Sequence, residues 1–347
     1  EKVATAIVTA LGALKSAEAE ARIIALLDTY ANSPNFVYTG LTALSKIGGT
    51  QSYDVFYKHA KAVDLAFDRT NAAGLAIDYA NTLLKNNNKV LANKLATQIY
   101  KEASVDKGIG AKIAALELLT RINPSAQKKN LLKLSSDSNP ILRNTALMLL
   151  ASEANTADLK KLASSITKLS PEAQESVLIF LAANDAKDAV PVLQKNLKKI
   201  KDSTAKIAAY KTLTALSGGT NTEFLIAQLG EANKEESVAL KNLLLTSKGA
   251  NVMEVVNVSM PNVNEITQLA LLDVLAKRSN ANSANQVFAL IENGSPAVRK
   301  AAFAALPNVV NDQDFDKIIE ILGKADASEI PFAQQAATVA LQNNTDK

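Results

Sequence analysis

Apolar residues recur along this chain as a small residue followed by a large one, at a nearly constant interval. The clearest pairs are Ala115-Leu116, Ala146-Leu147, Val177-Leu178, Ala209-Tyr210, Ala239-Leu240, Ala270-Leu271 and Ala302-Phe303. Successive small residues in this set are separated by 31, 31, 32, 30, 31 and 32 positions. A fixed period of this size is typical of solenoids, in which similar supersecondary units stack and bury a continuous core between neighbours.

The same pattern extends towards both ends of the chain with looser spacing. The pairs Ala6-Ile7, Gly40-Leu41 and Gly74-Leu75 precede Ala115 in steps of 34, 34 and 41 residues, and Ala333 follows Ala302 after 31. The sequence therefore predicts about eleven repeats in a single solenoid over residues 1–347. We expect longer, tyrosine-rich repeats in 1–111, regular repeats with a period of about 31 residues in 112–329, and a terminal half-repeat in 330–347.

One repeat, residues 137–169, shows what each unit contains. Asn139 supplies a side-chain acceptor for the free N–H groups of a helix start, and Pro140 suits the first helical turn. An apolar stripe at helical spacing follows, a polar turn lies at 155–156, and a second apolar stripe ends near Leu169. The small residue of the pair allows two first helices to approach closely. The pattern predicts an all-α fold of helix-turn-helix repeats.

The start of this repeat recurs later in the chain. Residues 139–143 read Asn-Pro-Ile-Leu-Arg before the pair at 146–147, and residues 295–299 read Ser-Pro-Ala-Val-Arg before the pair at 302–303. At these positions the chain resembles HEAT repeats, whose first helix often opens with Asp or Ser, Pro, an apolar residue and Arg. The resemblance covers essentially the whole chain. It implies a right-handed, armadillo-like α-solenoid of the kind that mostly binds other macromolecules.

A more specific resemblance involves residues 113–119, 143–147 and 189–193. These segments look like the HEAT region of secreted Gram-negative bacterial proteins that also carry a concanavalin-like 3-keto-disaccharide hydrolase domain. That catalytic domain is a β-jelly-roll, and no segment of this chain is rich in strand-forming residues. The resemblance implies that this chain is the non-catalytic part, that the natural polypeptide continues past Lys347, and that the protein is periplasmic or on the cell surface. A cytoplasmic location is the alternative.

Composition narrows the chemistry available to the chain. The absence of cysteine excludes disulfides, thiolate nucleophiles and cysteine-based metal sites. The net charge of +4, from 38 basic and 34 acidic residues, predicts no strong field for nucleic acid or membranes. The longest apolar runs are far shorter than the ~20 residues of a membrane span. We expect no cofactor, no metal site, no nucleic-acid partner and no membrane span.

The best candidate for a binding surface lies in the tyrosine-rich N-terminal part. Tyr53, Phe56, Tyr57 and Ala60 follow the i, i+3, i+4, i+7 pattern of a buried helix face. Aromatic core packing explains that pattern. The alternative is a partner-binding groove, because tyrosine is favoured at interaction hot spots. The binding hypothesis names Tyr53, Tyr57, Lys58, His59 and Lys61. His59 is the only histidine of the chain.

Two other motifs have structural interpretations. The densest basic run is Lys195, Lys198, Lys199 and Lys201; Lys195 and Lys199 are spaced to share a face of a solvated helix, and Asp202 follows. Gly-Gly-Thr occurs at 48–50 and again at 218–220, each time after Leu-Thr-Ala-Leu. This is no phosphate-binding loop, and a glycine in a left-handed helix cap is the simpler interpretation.

Two classes of function follow from these observations. The first is a non-catalytic scaffold that presents a surface of second helices to a protein partner or to another domain of the same polypeptide, without catalytic residues. The second is a HEAT-type enzyme such as a DNA glycosylase or a bilin lyase. The absence of tryptophan, the single histidine and the dilute charge favour the scaffold.

Overall fold

A computed structural model describes residues 1–249, 251–279 and 283–342. These residues form 21 α-helices and no β-strand, which confirms the all-α prediction. The helices are α1 Lys2–Ala13, α2 Glu20–Thr29, α3 Pro34–Ile47, α4 Tyr53–Ala62, α5 Ala72–Lys85, α6 Lys89–Glu102, α7 Ile109–Ile122, α8 Pro124–Leu134, α9 Pro140–Leu150, α10 Thr156–Ser165, α11 Pro171–Ala183, α12 Val190–Leu197, α13 Ser203–Leu216, α14 Thr222–Leu229, α15 Lys234–Thr246, α16 Val252–Ser259, α17 Glu265–Arg278, α18 Ala284–Asn293, α19 Pro296–Ala305, α20 Phe315–Leu322 and α21 Ile330–Gln342.

Odd-numbered helices are called first helices below, and even-numbered helices second helices. The chain divides into two compact units, residues 1–155 and 156–347. In the N-terminal unit, each first helix from α1 to α7 packs against the next first helix, and α4 also contacts α6. In the C-terminal unit the same contacts link α11 through α21, while α10 contacts α12 and α14 contacts α16. Within each unit, neighbours in the sequence are therefore neighbours in space.

Helix starts follow the capping chemistry expected from the sequence. The Asn139 side chain accepts hydrogen bonds from the backbone N–H groups of Ile141 and Leu142, at 3.0 and 3.1 Å, and Pro140 begins α9. Ser295 caps α19 in the same way, with Pro296 as its first residue. The cap and the proline fix the start of the helix because the proline has no N–H to leave unsatisfied.

The small–large pairs lie on first helices and form the core. From Gly40-Leu41 to Ala302-Phe303 the large member is at most 5% exposed in every pair, and Ala333 of α21 is fully buried. The pair Ala6-Ile7 is an exception, and its assignment to the core is wrong, because Ile7 is 53% exposed. Helix α1 instead buries Val8 and Gly12, and a Cβ at Gly12 would lie 2.6 Å from the Cα of Ala43.

A polar residue three positions before the small residue anchors several repeats. Arg143 Nη1 donates to the carbonyl oxygen of Asp137 at 2.9 Å, and Arg299 Nη1 donates to that of Ile291 at 2.8 Å. Gln174 donates to Leu169, and Lys112 donates to two carbonyls at the end of α6. Each acceptor lies at the end of the preceding second helix or just after it. The column therefore satisfies carbonyls that a helix terminus leaves free.

The repeated glycines act as helix ends, with one difference between the two sites. Gly48 adopts a left-handed conformation (φ 67°) and caps α3, as the sequence predicts. Helix α13 ends at Leu216, and both Gly218 and Gly219 have positive φ, so the second left-handed turn lies beyond the cap. The five C-terminal residues of the expected half-repeat 330–347 lie outside the described part of the chain.

The paired column predicts a sharp difference between adjacent residues of α9. We expect Leu147→Ala to lower the free energy of unfolding by ~2–5 kcal/mol, because a large, nearly buried side chain is removed. Ala146→Leu should lower it by ~1–3 kcal/mol through overpacking. Met148→Ala is the control: Met148 is 61% exposed, so its loss should cost less than about 0.5 kcal/mol. Urea denaturation measures all three, and equal effects at positions 147 and 148 would contradict the register.

Candidate functional site

Helix α4 carries the candidate residues and is fixed at its start by buried polar groups. A carboxylate oxygen of Glu20 accepts hydrogen bonds from the Ser52 N–H at 2.9 Å and the Ser52 hydroxyl at 2.7 Å. Tyr79 donates its hydroxyl proton to the carbonyl oxygen of Gly49 at 2.6 Å. A Cβ at position 49 would lie 2.0 Å from Glu20 Oε2, so a larger residue there would displace the buried carboxylate that accepts from Ser52. Contacts from α2 and α5 thus set the position of α4.

The buried face of α4 matches the spacing seen in the sequence. Phe56 and Ala60 are fully buried, Tyr53 is 7% exposed and Tyr57 is half-buried. The Phe56 ring stacks on Tyr79, with 4.3 Å between ring centroids and 14° between planes. The aromatic rings of this face therefore contribute to the core, and their hydroxyl groups lie at its edge.

Both tyrosine hydroxyls of the candidate set reach across to α6. Tyr53 donates to the side-chain oxygen of Gln98, and Tyr57 donates to a carboxylate oxygen of Glu102. Lys61 pairs with the same carboxylate, its Nζ lying 3.4 Å from Glu102 Oε2. The i, i+4 spacing on α4 meets the same spacing on α6, so two polar bridges form one helical turn apart. The hydrogen bond from Tyr57 holds the pKa of Glu102 below its ordinary value; burial, the next largest effect, opposes it, and Lys61 lowers the pKa further.

Lysine side chains lie over both tyrosine rings. Lys94 Nζ is 4.7 Å from the ring centroid of Tyr53, and Lys61 Nζ is 5.5 Å from that of Tyr57. These distances fall within the range of cation–π contacts. The α4–α6 surface, as we call it, therefore consists of Tyr53, Tyr57 and Lys61 from α4 with Lys94, Gln98 and Glu102 from α6.

The structure separates His59 from this surface, whereas Lys58 lies three positions before Lys61 and therefore next to it on α4. Lys58 is exposed and His59 is half-buried. His59 follows Tyr57 by two positions, and residues so spaced do not share a helix face. Burial first, and then the positive charge of Lys58, lower the pKa of His59, while Asp28 of α2 acts in the opposite direction. His59 thus lies on the side of α4 that is near Asp28 of α2.

Sequence reasoning missed the three residues contributed by α6. Lys94, Gln98 and Glu102 are ordinary polar positions of an amphipathic helix, and nothing in their own pattern distinguishes them. The available signal was a matching i, i+4 spacing on two consecutive second helices, Tyr53 and Tyr57 on α4 and Gln98 and Glu102 on α6. Recognising it requires knowing that α4 and α6 are neighbours, which the repeat period alone implies.

A cleft of about 420 Å³ opens beside the C-terminal ends of α4 and α6. Two loops border it, the first joining α4 to α5 and the second joining α6 to α7. In the first loop Asp64 and Leu65 have positive φ, of 55° and 56°, and Leu65 is buried. Phe67 of the same loop is 89% exposed. The residues that line the cleft are Lys61, Asp64, Leu65, Glu102, Ser104, Asp106 and Lys107.

No protein-family model matches the sequence, and no curated protein shows significant similarity to it. In the described ranges, no three histidine or carboxylate side chains are grouped closely enough to hold a metal ion. None of the helices in those ranges combines the length and the apolar character needed to cross a membrane. Family membership therefore rests on the HEAT resemblance alone and remains a proposal.

The bridge from Tyr57 to Glu102 predicts a measurable contribution to stability. We expect Tyr57→Phe to lower the free energy of unfolding by about 0.5–1 kcal/mol, the value of one partly exposed hydrogen bond. Tyr38→Phe is the matched control, because Tyr38 is 45% exposed and its hydroxyl makes no hydrogen bond in the described residues. Chemical denaturation compares the two variants. Equal stability of both would show that the bridge does not form in solution.

The single histidine predicts a pH dependence that can be followed by NMR. Because the pKa of His59 is lower in the folded protein than its ordinary value of 6.5, the unfolded chain binds the extra proton first. The contribution of the neutral His59 ring to the free energy of unfolding is complete above pH 6.5, and it is lost as the pH falls through the folded pKa. We expect the imidazole signals to titrate below 6.5. We also expect His59→Gln to reduce the loss of stability between about pH 7 and 5.5. A folded pKa at or above 6.5 would contradict the burial of this ring.

Proposed function

We propose that the chain is a right-handed α-solenoid of about eleven HEAT-like helix-turn-helix repeats. Contacts between successive first helices in each compact unit support this architecture. Further support comes from the small–large pairs, which recur on consecutive first helices, and from the shared polar anchors at Arg143 and Arg299. Within each unit, the second helices then provide one surface and the first helices provide another.

On this architecture, the chain is a non-catalytic scaffold that mediates protein–protein or interdomain interaction. The observation that carries the proposal is the α4–α6 surface. Its tyrosine hydroxyls, lysines and carboxylate are held by one another across two consecutive second helices. Side chains fixed on rigid elements lose little entropy when a partner binds, which favours recognition. Tyrosine also brings a large contact area together with a polar tip.

The scaffold would belong to a larger secreted protein that acts on glycosides, in the periplasm or at the cell surface. The resemblance at residues 113–119, 143–147 and 189–193 supports this part of the proposal, together with the absence of cysteine. The chemistry on the sugar would then reside in a separate domain, and this chain would hold that domain or its partner in place. No specific observation in the structure favours a HEAT-type DNA glycosylase or a bilin lyase instead.

A photo-crosslinking experiment tests the binding function. A photoreactive amino acid replaces Lys58, which is exposed on α4, and in a second variant replaces Met148, which is exposed on the first helix α9. We expect the variant at position 58 to crosslink one protein or domain reproducibly in native extract, and the variant at 148 to yield little of that product. Equal crosslinking at both positions would overturn the assignment of the surface.

The same preparation tests the absence of catalysis. We expect the isolated chain to leave nitrophenyl glycosides and 3-keto-glycosides intact over a time in which a known glycosidase consumes them. Turnover that persists through repeated purification, and that changes when residues of this chain are substituted, would overturn the non-catalytic proposal.

A further inference from the structure

Lysines are concentrated on, and just after, two second helices of the C-terminal unit, α10 and α12. Six of them, Lys161, Lys168, Lys195, Lys198, Lys199 and Lys201, are exposed. We propose that this lysine face binds an acidic segment of a partner protein. The proposal rests on the scaffold function given above, and adds to it a second surface and the chemistry of the partner.

Direct contacts place the two helices side by side. Asn196 Nδ2 of α12 donates to the carbonyl oxygen of Ala163 in α10 at 3.4 Å. Lys160 Nζ of α10 lies 3.9 Å from a carboxylate oxygen of Asp188, just before α12. The apolar residues of each helix point into the core, as shown by Leu162 and Leu193, both at most 4% exposed. The lysines on the opposite sides of α10 and α12 therefore share one surface.

The end of α12 differs from the sequence prediction in a way that matters here. The helix ends at Leu197, so the prediction that Lys195 and Lys199 share a helix face is wrong. Lys199 instead lies in a turn closed by its N–H to the carbonyl oxygen of Asn196 at 2.9 Å. The helix stops short because Ile200 is buried and Asp202 already caps the next helix, accepting from the Ala205 N–H at 2.9 Å. The lysines after Leu197 therefore spread over the end of the helix.

The nearby carboxylates are engaged elsewhere. Asp202 caps α13, Asp185 pairs with Lys187 at 2.9 Å, and Asp188 lies beside Lys160. Asp158, in the first turn of α10, also has a partner. In the described part of the chain, none of the six lysines of the face forms an ion pair. The chain's net charge of +4 therefore conceals a local excess of positive charge that its own acids do not neutralise. A partner with carboxylates would supply the missing complement.

The composition of the face favours a protein partner among polyanions. Residues 156–168 and 187–202 contain no arginine and no aromatic residue. Nucleic-acid strands are bound by stacking on aromatic rings and by the planar fork of arginine. Helices that lie on membranes insert large apolar side chains, and no exposed large apolar residue lies in either segment. Lysine is a flexible point charge, which suits the dispersed carboxylates of aspartate and glutamate.

The spacing of the helices sets the size of a test peptide. Packed helices lie about 8–10 Å apart, and an extended chain advances about 3.3 Å per residue. Acidic residues three positions apart can therefore reach lysines on both helices. The probe is a fluorescein-labelled peptide of about fifteen residues with aspartate at every third position and serine and alanine between. A second peptide, with asparagine in place of aspartate, reports binding that does not depend on charge.

Fluorescence anisotropy with the whole chain measures binding at about 50 mM salt and again at about 150 mM. We expect the aspartate peptide to bind more tightly than the asparagine peptide, and its affinity to fall at the higher salt concentration. The variant Lys161→Glu with Lys195→Glu and Lys199→Glu should weaken binding about tenfold. The control Lys211→Glu with Lys234→Glu and Lys300→Glu makes the same change in net charge at exposed positions of first helices. It should change affinity less than about twofold.

Several outcomes would overturn the proposal. They are equal binding of the two peptides, equal weakening by the control variant, and no binding at the lower salt. Single-stranded DNA of similar length, or vesicles containing phosphatidylserine, could instead bind more tightly and depend on the same lysines. That result would show that the partner is this other polyanion and not a protein. Unchanged circular dichroism of both variants shows that they are folded. If the peptide fails while crosslinking from position 58 succeeds, only the lysine face is wrong and the scaffold function stands.

Discussion

The distance between successive first helices is the constraint on which the core of each compact unit depends. At Gly12 of α1 a Cβ would lie 2.6 Å from the Cα of Ala43, on the next first helix α3. Small residues at such points bring the helices together, and the large residue that follows fills the space between them. Between the ends of its unit, each first helix meets one before it and one after it, so an oversized side chain there disturbs two interfaces at once.

Close packing of this kind creates a second requirement, because the ends of second helices are covered by the next repeat. Carbonyls there lose water and need donors from the protein. Lysine, arginine and glutamine all meet the requirement, at positions 112, 143 and 174. The three residues share a long side chain with an N–H donor. They do not share a positive charge, because Gln174 is a neutral amide. A charge is therefore not required for this role; Arg299 also pairs with Glu329, its Nε lying 2.7 Å from Oε1.

The parts of the fold that the sequence predicts are those governed by local chemistry and by burial. The caps at Asn139 and Ser295 depend on a few adjacent residues, and the buried pairs depend on a period that the whole chain repeats. The assignment of Ala6-Ile7 was wrong because α1 packs on α3 through Val8 and Gly12. In sequence, a small–large pair on an exposed side of a helix cannot be distinguished from a buried one. The partners of Tyr53 and Tyr57 come from α6, 45 residues away, where amphipathic spacing identifies the polar side without naming its neighbour.

The second helices that carry the two proposed surfaces bury few of their residues, and this explains where functional chemistry lies. Helix α13 buries seven of its fourteen residues, whereas α10 buries two of ten and α12 two of eight. Helices α10 and α12 therefore satisfy the core with a few apolar positions, and their other positions are free to carry any polar residue. Lys61, Gln98 and Glu102 occupy such positions in α4 and α6, bridged to tyrosine hydroxyls, and lysines occupy them in α10 and α12. Because the core does not fix these residues, each repeat can carry a different chemistry on the same backbone. The average charge of the whole chain then describes none of its surfaces.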